Sequence, residues 1–170
     1  MALVKYNNNS ISAVTSAASI PSGALVPIKT LTASSSATLS FVDGSDGVVL
    51  DSTYPIYLFK FINIHPSSDS ANFQVGFRDG GTDYDATKTT TSFRAQHNEG
   101  DTQALLAYHT GSDLAQSTAF QTLEGGGNQL SSDNDHALGG ELTLYNPSST
   151  TFVKNFISIF IKIFKTLSIT

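Results

Sequence analysis

The chain has 170 residues, 39% of them hydrophobic, with no cysteine and a formal net charge of -5. That length suits one domain whose core needs no covalent staple, and the missing thiols exclude a disulfide framework, a zinc-thiolate site and a cysteine nucleophile. Only nine Lys and Arg are present, with none clustered before the last segment, which argues against nucleic acid as a partner because nothing would follow a phosphate backbone.

The opening residues carry no continuous apolar stretch after Lys5, and no run in the chain is long enough for a membrane span. Neither a secretory signal nor a membrane partner is expected, which suits a protein made in the cytoplasm and then assembled. Residues 1–23 are polar and small, with Ile11, Val14 and Ile20 scattered without period, the pattern of an extended arm. Residues 24–33 read as a strand (Leu25, Val26, Ile28, Leu31) that Pro27 restricts to an edge, and residues 38–42 alternate around Leu39 and Phe41. Asp43-Gly-Ser-Asp-Gly47 is a turn by composition, and residues 48–50 resume an apolar run.

Residues 55–66 form the strongest element, one long strand bounded by Pro55 and Pro66. Ile56, Leu58, Ile62 and Ile64 alternate with Tyr57, Phe59 and Phe61, so both faces are apolar and Lys60 alone interrupts them. One face is expected to meet an opposing sheet and the other a neighbouring subunit, with Tyr57, Phe59 and Phe61 as the candidate oligomer interface. Residues 72–78 alternate Phe73, Val75 and Phe77 against polar partners; Asp79-Gly-Gly-Thr82 then predicts a hairpin, with residues 87–96 running back as its second strand. Residues 104–115 are ambiguous between strand and short helix, and residues 118–123 and 141–145 read as short strands.

Beyond Lys154 the composition changes abruptly to Ile, Phe and Lys. At period two, Ile157, Ile159 and Ile161 share one face and Phe156, Phe160 and Phe164 the other, so residues 155–170 permit a strand; hydrophobes on all sides of a helical wheel argue against a membrane-surface helix. Left exposed, such a tail would be prone to aggregate. The domain division expected is therefore an arm (1–23), a body (24–154) and an atypical tail (155–170). Many short strands, turn chemistry between them and no long amphipathic helix predict an all-β antiparallel sandwich, jelly-roll-like in form.

The chemistry-bearing residues are sparse. Asp133-Asn-Asp135 lacks the further ligands, glycine and closing glutamate of a calcium loop, and Asp and Gly elsewhere are ordinary turn residues. His65, His97, His109 and His136 have no metal-ligand spacing, and Glu99, Glu124 and Glu141 are too scattered in sequence to define a glycosidase pair. No nucleophile elbow or phosphate loop is present. No catalytic residue, metal or cofactor is assigned. A carbohydrate-binding loop built from Tyr84, Tyr108, Asp133 and Asp135, with calcium as an option, is the alternative candidate site.

Several stretches together resemble a family of small structural proteins of tailed, mainly marine, bacteriophages: Met1-Ala-Leu-Val-Lys-Tyr-Asn-Asn-Asn-Ser-Ile-Ser12, Phe41-Val-Asp-Gly44, residues 49–66, Asp113-Leu-Ala-Gln-Ser-Thr-Ala-Phe120 and residues 144–154. The resemblance runs to Lys154. In such relatives the chain continues through more polar strands, so the Ile/Phe/Lys tail here is expected to be a frameshifted or misassembled end that leaves the sandwich incomplete. What the resemblance implies is a non-enzymatic virion component, of tail, fibre or capsid decoration. Its partners would be copies of itself, with a trimer as one candidate, other virion proteins and a host-surface glycan.

Overall fold

The computed structural model describes residues 25–98, 100–125, 129–149, 151 and 154–162. The arm expected over residues 1–23 lies outside them. The chain divides into two units, Met1–Thr32 and Ala33–Thr170. In the first, residues 25–32 form neither helix nor strand, and Leu25 and Val26 are exposed.

Every regular element among the described residues is a strand, and every ladder is antiparallel. The strands are β1 (Ile56–Ile64), β2 (Gln74–Val75), β3 (Lys88–Thr90), β4 (Phe93–His97), β5 (Ala104–Tyr108), β6 (Leu114–Ser117), β7 (Gln121–Thr122), β8 (Leu138–Tyr145) and β9 (Asn155–Lys162). They form a three-stranded sheet in the order β1-β8-β9 and three two-stranded ladders, β2-β7, β3-β6 and β4-β5. The all-β antiparallel class expected from sequence is what the chain adopts.

The long proline-bounded strand forms as expected, and its partner is β8, from Ile56 opposite Tyr145 to Phe61 opposite Gly140. Register then slips: Ile64 faces Leu138, so β1 uses three steps where β8 uses two. Asn63 absorbs this bulge with a φ of 55°, a left-handed backbone that asparagine tolerates better than most residues. One extra residue inverts the parity. Ile64, grouped by simple alternation with Ile56, Leu58 and Ile62, therefore sits on the opposite face with Leu138.

The core lies on that face. Tyr57-Leu144-Phe156, Phe59-Leu142-Ser158 and Phe61-Gly140-Phe160 form successive rows across the three strands. Leu138 and Leu142 are fully buried, and Tyr57 and Leu144 nearly so. The residues around β2 cover these rows: Phe73 meets Phe61 at 5.1 Å and Phe160 at 6.0 Å, and Phe77 meets Phe156 at 5.1 Å. Phe41 closes edge-on against Phe59 at 5.4 Å. Such offset aromatic contacts add to plain area burial. Gly140 is required at the centre of the last of these rows, because a Cβ there would overlap the Ile159 carbonyl and Phe160.

Buried Gln121 ties the small ladders together. Its amide nitrogen donates to the carbonyls of Ser112 (2.7 Å) and Thr122 (2.8 Å), and its amide oxygen accepts from the Thr90 hydroxyl, which in turn accepts from the Leu114 amide. One side chain thus joins β3, β6 and β7.

Several expected elements differ. Residues 25–33, 38–42 and 48–50 form no strands. Leu39 is exposed, and Phe41 reaches the sheet through its ring alone, without backbone pairing of residues 38–42. Asp43–Leu50 is instead a closed loop, in which Gly44 donates to Val48 O and Leu50 to the Asp43 carboxylate. The turn after residue 78 closes through Ala86 N to Phe77 O, but the chains then diverge: β2 pairs with β7, while residues 87–96 divide into β3 and β4 with other partners. The ambiguous segment 104–115 is strand β5 followed by the start of β6. The atypical tail contributes β9, pairing with all eight residues of β8 from Tyr145–Asn155 to Leu138–Lys162.

Candidate functional site

The structure corrects which face of β1 is available to a partner. Tyr57, Phe59 and Phe61 are occupied inside the chain. The Tyr57 hydroxyl donates to Asp51 O at 2.9 Å, its ring meets Tyr54, and burial pushes its pKa up. Phe59 and Phe61 make the ring contacts described above. Tyr57 is buried, and Phe59 against Phe41 and Phe61 against Phe73 and Phe160 are half-buried, so this face packs within the chain.

The described residues leave much of the opposite face exposed. Ile56, Leu58 and Ile62 of β1 lie on it, Thr143 and Tyr145 of β8 cross its centre, and Ile157, Ile159 and Ile161 of β9 form a row along its far side. Ile62 is 81% exposed and Ile161 72%. Its charges are directly opposed: Lys60 faces Glu141, with the ammonium 3.6 Å from the carboxylate. Both ends of that pair are wet, so it adds at most about 1 kcal/mol. Exposed apolar residues grouped on one side of a sheet form a candidate interaction surface, whereas single exposed hydrophobes need no explanation. The signal that identifies it in the sequence is Lys60, since a mid-strand charge points to water and carries Ile56, Leu58 and Ile62 with it.

The residues proposed for a sugar or calcium loop are dispersed. Tyr84 lies beneath Arg78, whose guanidinium carbon is 4.4 Å from the ring centre, and its buried hydroxyl has no hydrogen-bond partner among the described residues. Tyr108, at the end of β5, donates its hydroxyl to Asp113, which raises the phenol pKa. Asp133 lies in the loop before β8, where its carbonyl takes His65 Nε2 at 2.9 Å, and Asp135 lies 3.9 Å from His136 Nε2. Three different neighbourhoods hold the four residues, and one of them holds both Asp133 and Asp135, which share His136 as a partner. The loop with Asp133 is pinned by Asp69, whose carboxylate accepts from Ser131 and from the amide and hydroxyl of Ser132; these bonds hold its pKa low. Among the described residues no group of three His, Asp or Glu is placed to hold a metal ion.

Of the glutamates, Glu99 lies outside the described residues and Glu141 is paired with Lys60. Glu124 is buried: one oxygen accepts from Phe73 N at 3.0 Å, the other has no hydrogen-bond partner among the described residues, and desolvation pushes the acid's pKa up. Lys162, at the end of β9, is pushed down to about 8 by burial, with the charge of Glu124 opposing the shift and that of Arg94 adding to it. The crevice that Lys162 lines with Ile64, Leu130 and His136 has no room for a water molecule. No family model, curated protein or solved structure matches the chain.

Proposed function

We propose that this chain is a non-enzymatic structural subunit that works by self-association, through burial of the outer face of its β1-β8-β9 sheet. The observation that carries the reading is the row Ile157, Ile159, Ile161 with Ile56 and Ile62, all more than half exposed on one side of a sheet whose other side is already packed. The layered β arrangement belongs to a jelly-roll-like sandwich in this reading. The sequence resemblance supplies the setting, a phage virion, as part of the tail, a fibre or a capsid decoration.

Light scattering and sedimentation of the full chain at micromolar concentration test the reading. An oligomer is expected, dissociating when Ile159→Asp and Ile62→Asp are combined, with the circular dichroism of the strands retained. A wild-type chain that stays monomeric across that range overturns it. Mass spectrometry of purified particles checks the setting: peptides of this chain must be present in stoichiometric amount.

A further inference from the structure

The two edges of the three-stranded sheet are built differently. On β1, Lys60 stands mid-strand, Pro55 and Pro66 bracket the ends, and the bulge between Phe61 and Ile64 twists the edge away from flat pairing. These are the devices by which natural sheets prevent a foreign strand from adding on. Along β9 none of them occurs: eight residues run in unbroken register with β8, without proline or bulge, and the single charge is Lys162 at the end. β9 has a strand neighbour on one side only among the described residues. An unbroken, alternating, apolar edge is a template for another strand.

We propose that β9 pairs antiparallel with β9 of a second copy of this chain, about a two-fold axis through Ile159, joining two three-stranded sheets into one of six. The inference rests on the self-association reading and adds to its face contact a second contact, along the sheet edge. A second copy is the occupant because the strand is complementary to itself. In antiparallel pairing, opposite residues share a face, so a two-fold on Ile159 sets Ile157 against Ile161 of the copy, Ile159 against its own counterpart, and Ser158 against Phe160. Every isoleucine of the row meets an isoleucine. Centring one residue earlier would keep Ile157 against Ile159 but set Ile161 against Asn155. The uncovered faces of both copies then lie on the same side, merging two Ile rows into one field flanked by the two Lys60–Glu141 pairs.

The assembly closes. Each copy contributes the same edge, so the contact is isologous, and the edges left outermost are the two guarded β1 strands, which stop the sheet from growing into a fibre. Such a unit builds dimers and their multiples, a different outcome from the trimer considered from sequence.

The absence of cysteine makes the register readable by cross-linking. Single-cysteine variants Ile157→Cys, Ile159→Cys, Ile161→Cys and, on the guarded edge, Ile62→Cys replace exposed side chains and leave the core intact. Directly opposed residues have Cα atoms about 4.5 to 5.5 Å apart, within disulfide reach, whereas residue 157 and its own counterpart would be about 13 Å apart. Under mild oxidation, a covalent dimer is expected for Ile159→Cys, none for the other three alone, and a mixed dimer when Ile157→Cys and Ile161→Cys are combined. Cross-linking of Ile157→Cys or Ile161→Cys alone overturns the register and the proposal with it. An oligomer that forms without any β9 cross-link overturns the pairing and leaves self-association standing through another surface. A monomer without cross-links overturns both.

Discussion

Leu142 and Thr143 are neighbours on β8, and between them lies the difference between the two sides of the sheet. Leu142 is 1% exposed, between Phe59 and Ser158, in a layer closed by Phe41, Phe73 and Phe77. Thr143 lies between Leu58 and Ile157 on a side where the flanking isoleucines face water. Both sides are apolar in composition. The inner one is filled by rings that find rings, the outer by β-branched chains that find nothing within the described chain. Hydrophobicity alone therefore does not say which side is core; the availability of a complementary second layer decides it.

Substitutions on the two sides should separate accordingly. The largest effect is expected for Gly140→Val, whose branched side chain must enter space held by the Ile159 backbone and the Phe160 ring. Backbone cannot yield as a flexible side chain can, so β8 and β9 should lose their register and the thermal transition should broaden or disappear in calorimetry. Next, Leu142→Ala should cost about 2 to 5 kcal/mol in urea unfolding, while Ile159→Thr, more than half exposed, should stay within about 0.5 kcal/mol under dissociating conditions. Equal costs at the two positions would remove the distinction between a filled and an open side.

The smallest effect concerns the sheet's end, where Lys162 and Glu124 are both held from water. The Lys162 pKa is lowered to about 8 from 10.5, so the folded chain gives up that proton more readily than the unfolded one. Between pH 8 and 10.5 the unfolded state binds more protons, and the contribution of this group to stability rises with pH across that window. Glu124 has the opposite sense: its folded pKa is raised, so its contribution is greatest below the unfolded value of 4.5 and declines as pH rises through the folded one. Because the carboxylate charge supports the ammonium, Glu124→Gln should move the Lys162 midpoint lower still, as followed by NMR of its side-chain resonances. An unchanged or higher midpoint would show that the two groups do not sense each other.

Much of the sheet was legible because its signals are local. Prolines at both ends, β-branched and aromatic content and a single charge identify β1, and period two in the tail is the pattern β9 follows. What was not legible is pairing. Residues 72–78 and 87–96 looked like the two arms of a hairpin, yet β2 pairs with Gln121 and Thr122, nearly fifty residues on, because Phe73 and Phe77 are drawn to the sheet's aromatic layer. Residues 38–42 alternate as a strand does, but alternation describes a face and not a partner. For the candidate surface, ring size misled: Tyr57, Phe59 and Phe61 looked like the contact residues, while the charge of Lys60 marked the open side. The bulge at Asn63 leaves no trace in a pattern that alternates cleanly through Ile62 and Ile64.

The pairing of β1 with β8 also bears on how the chain reaches its fold. Tyr57 waits for Leu144, and Phe61 for Gly140, across some eighty intervening residues. Closing so long a span costs entropy before any contact rewards it, which puts folding on the millisecond-to-second scale of sheet proteins with distant pairings. During that interval two apolar rows of β1 are bare at once, and a lysine within one of them, with a proline at either end, disfavours capture by a second nascent chain.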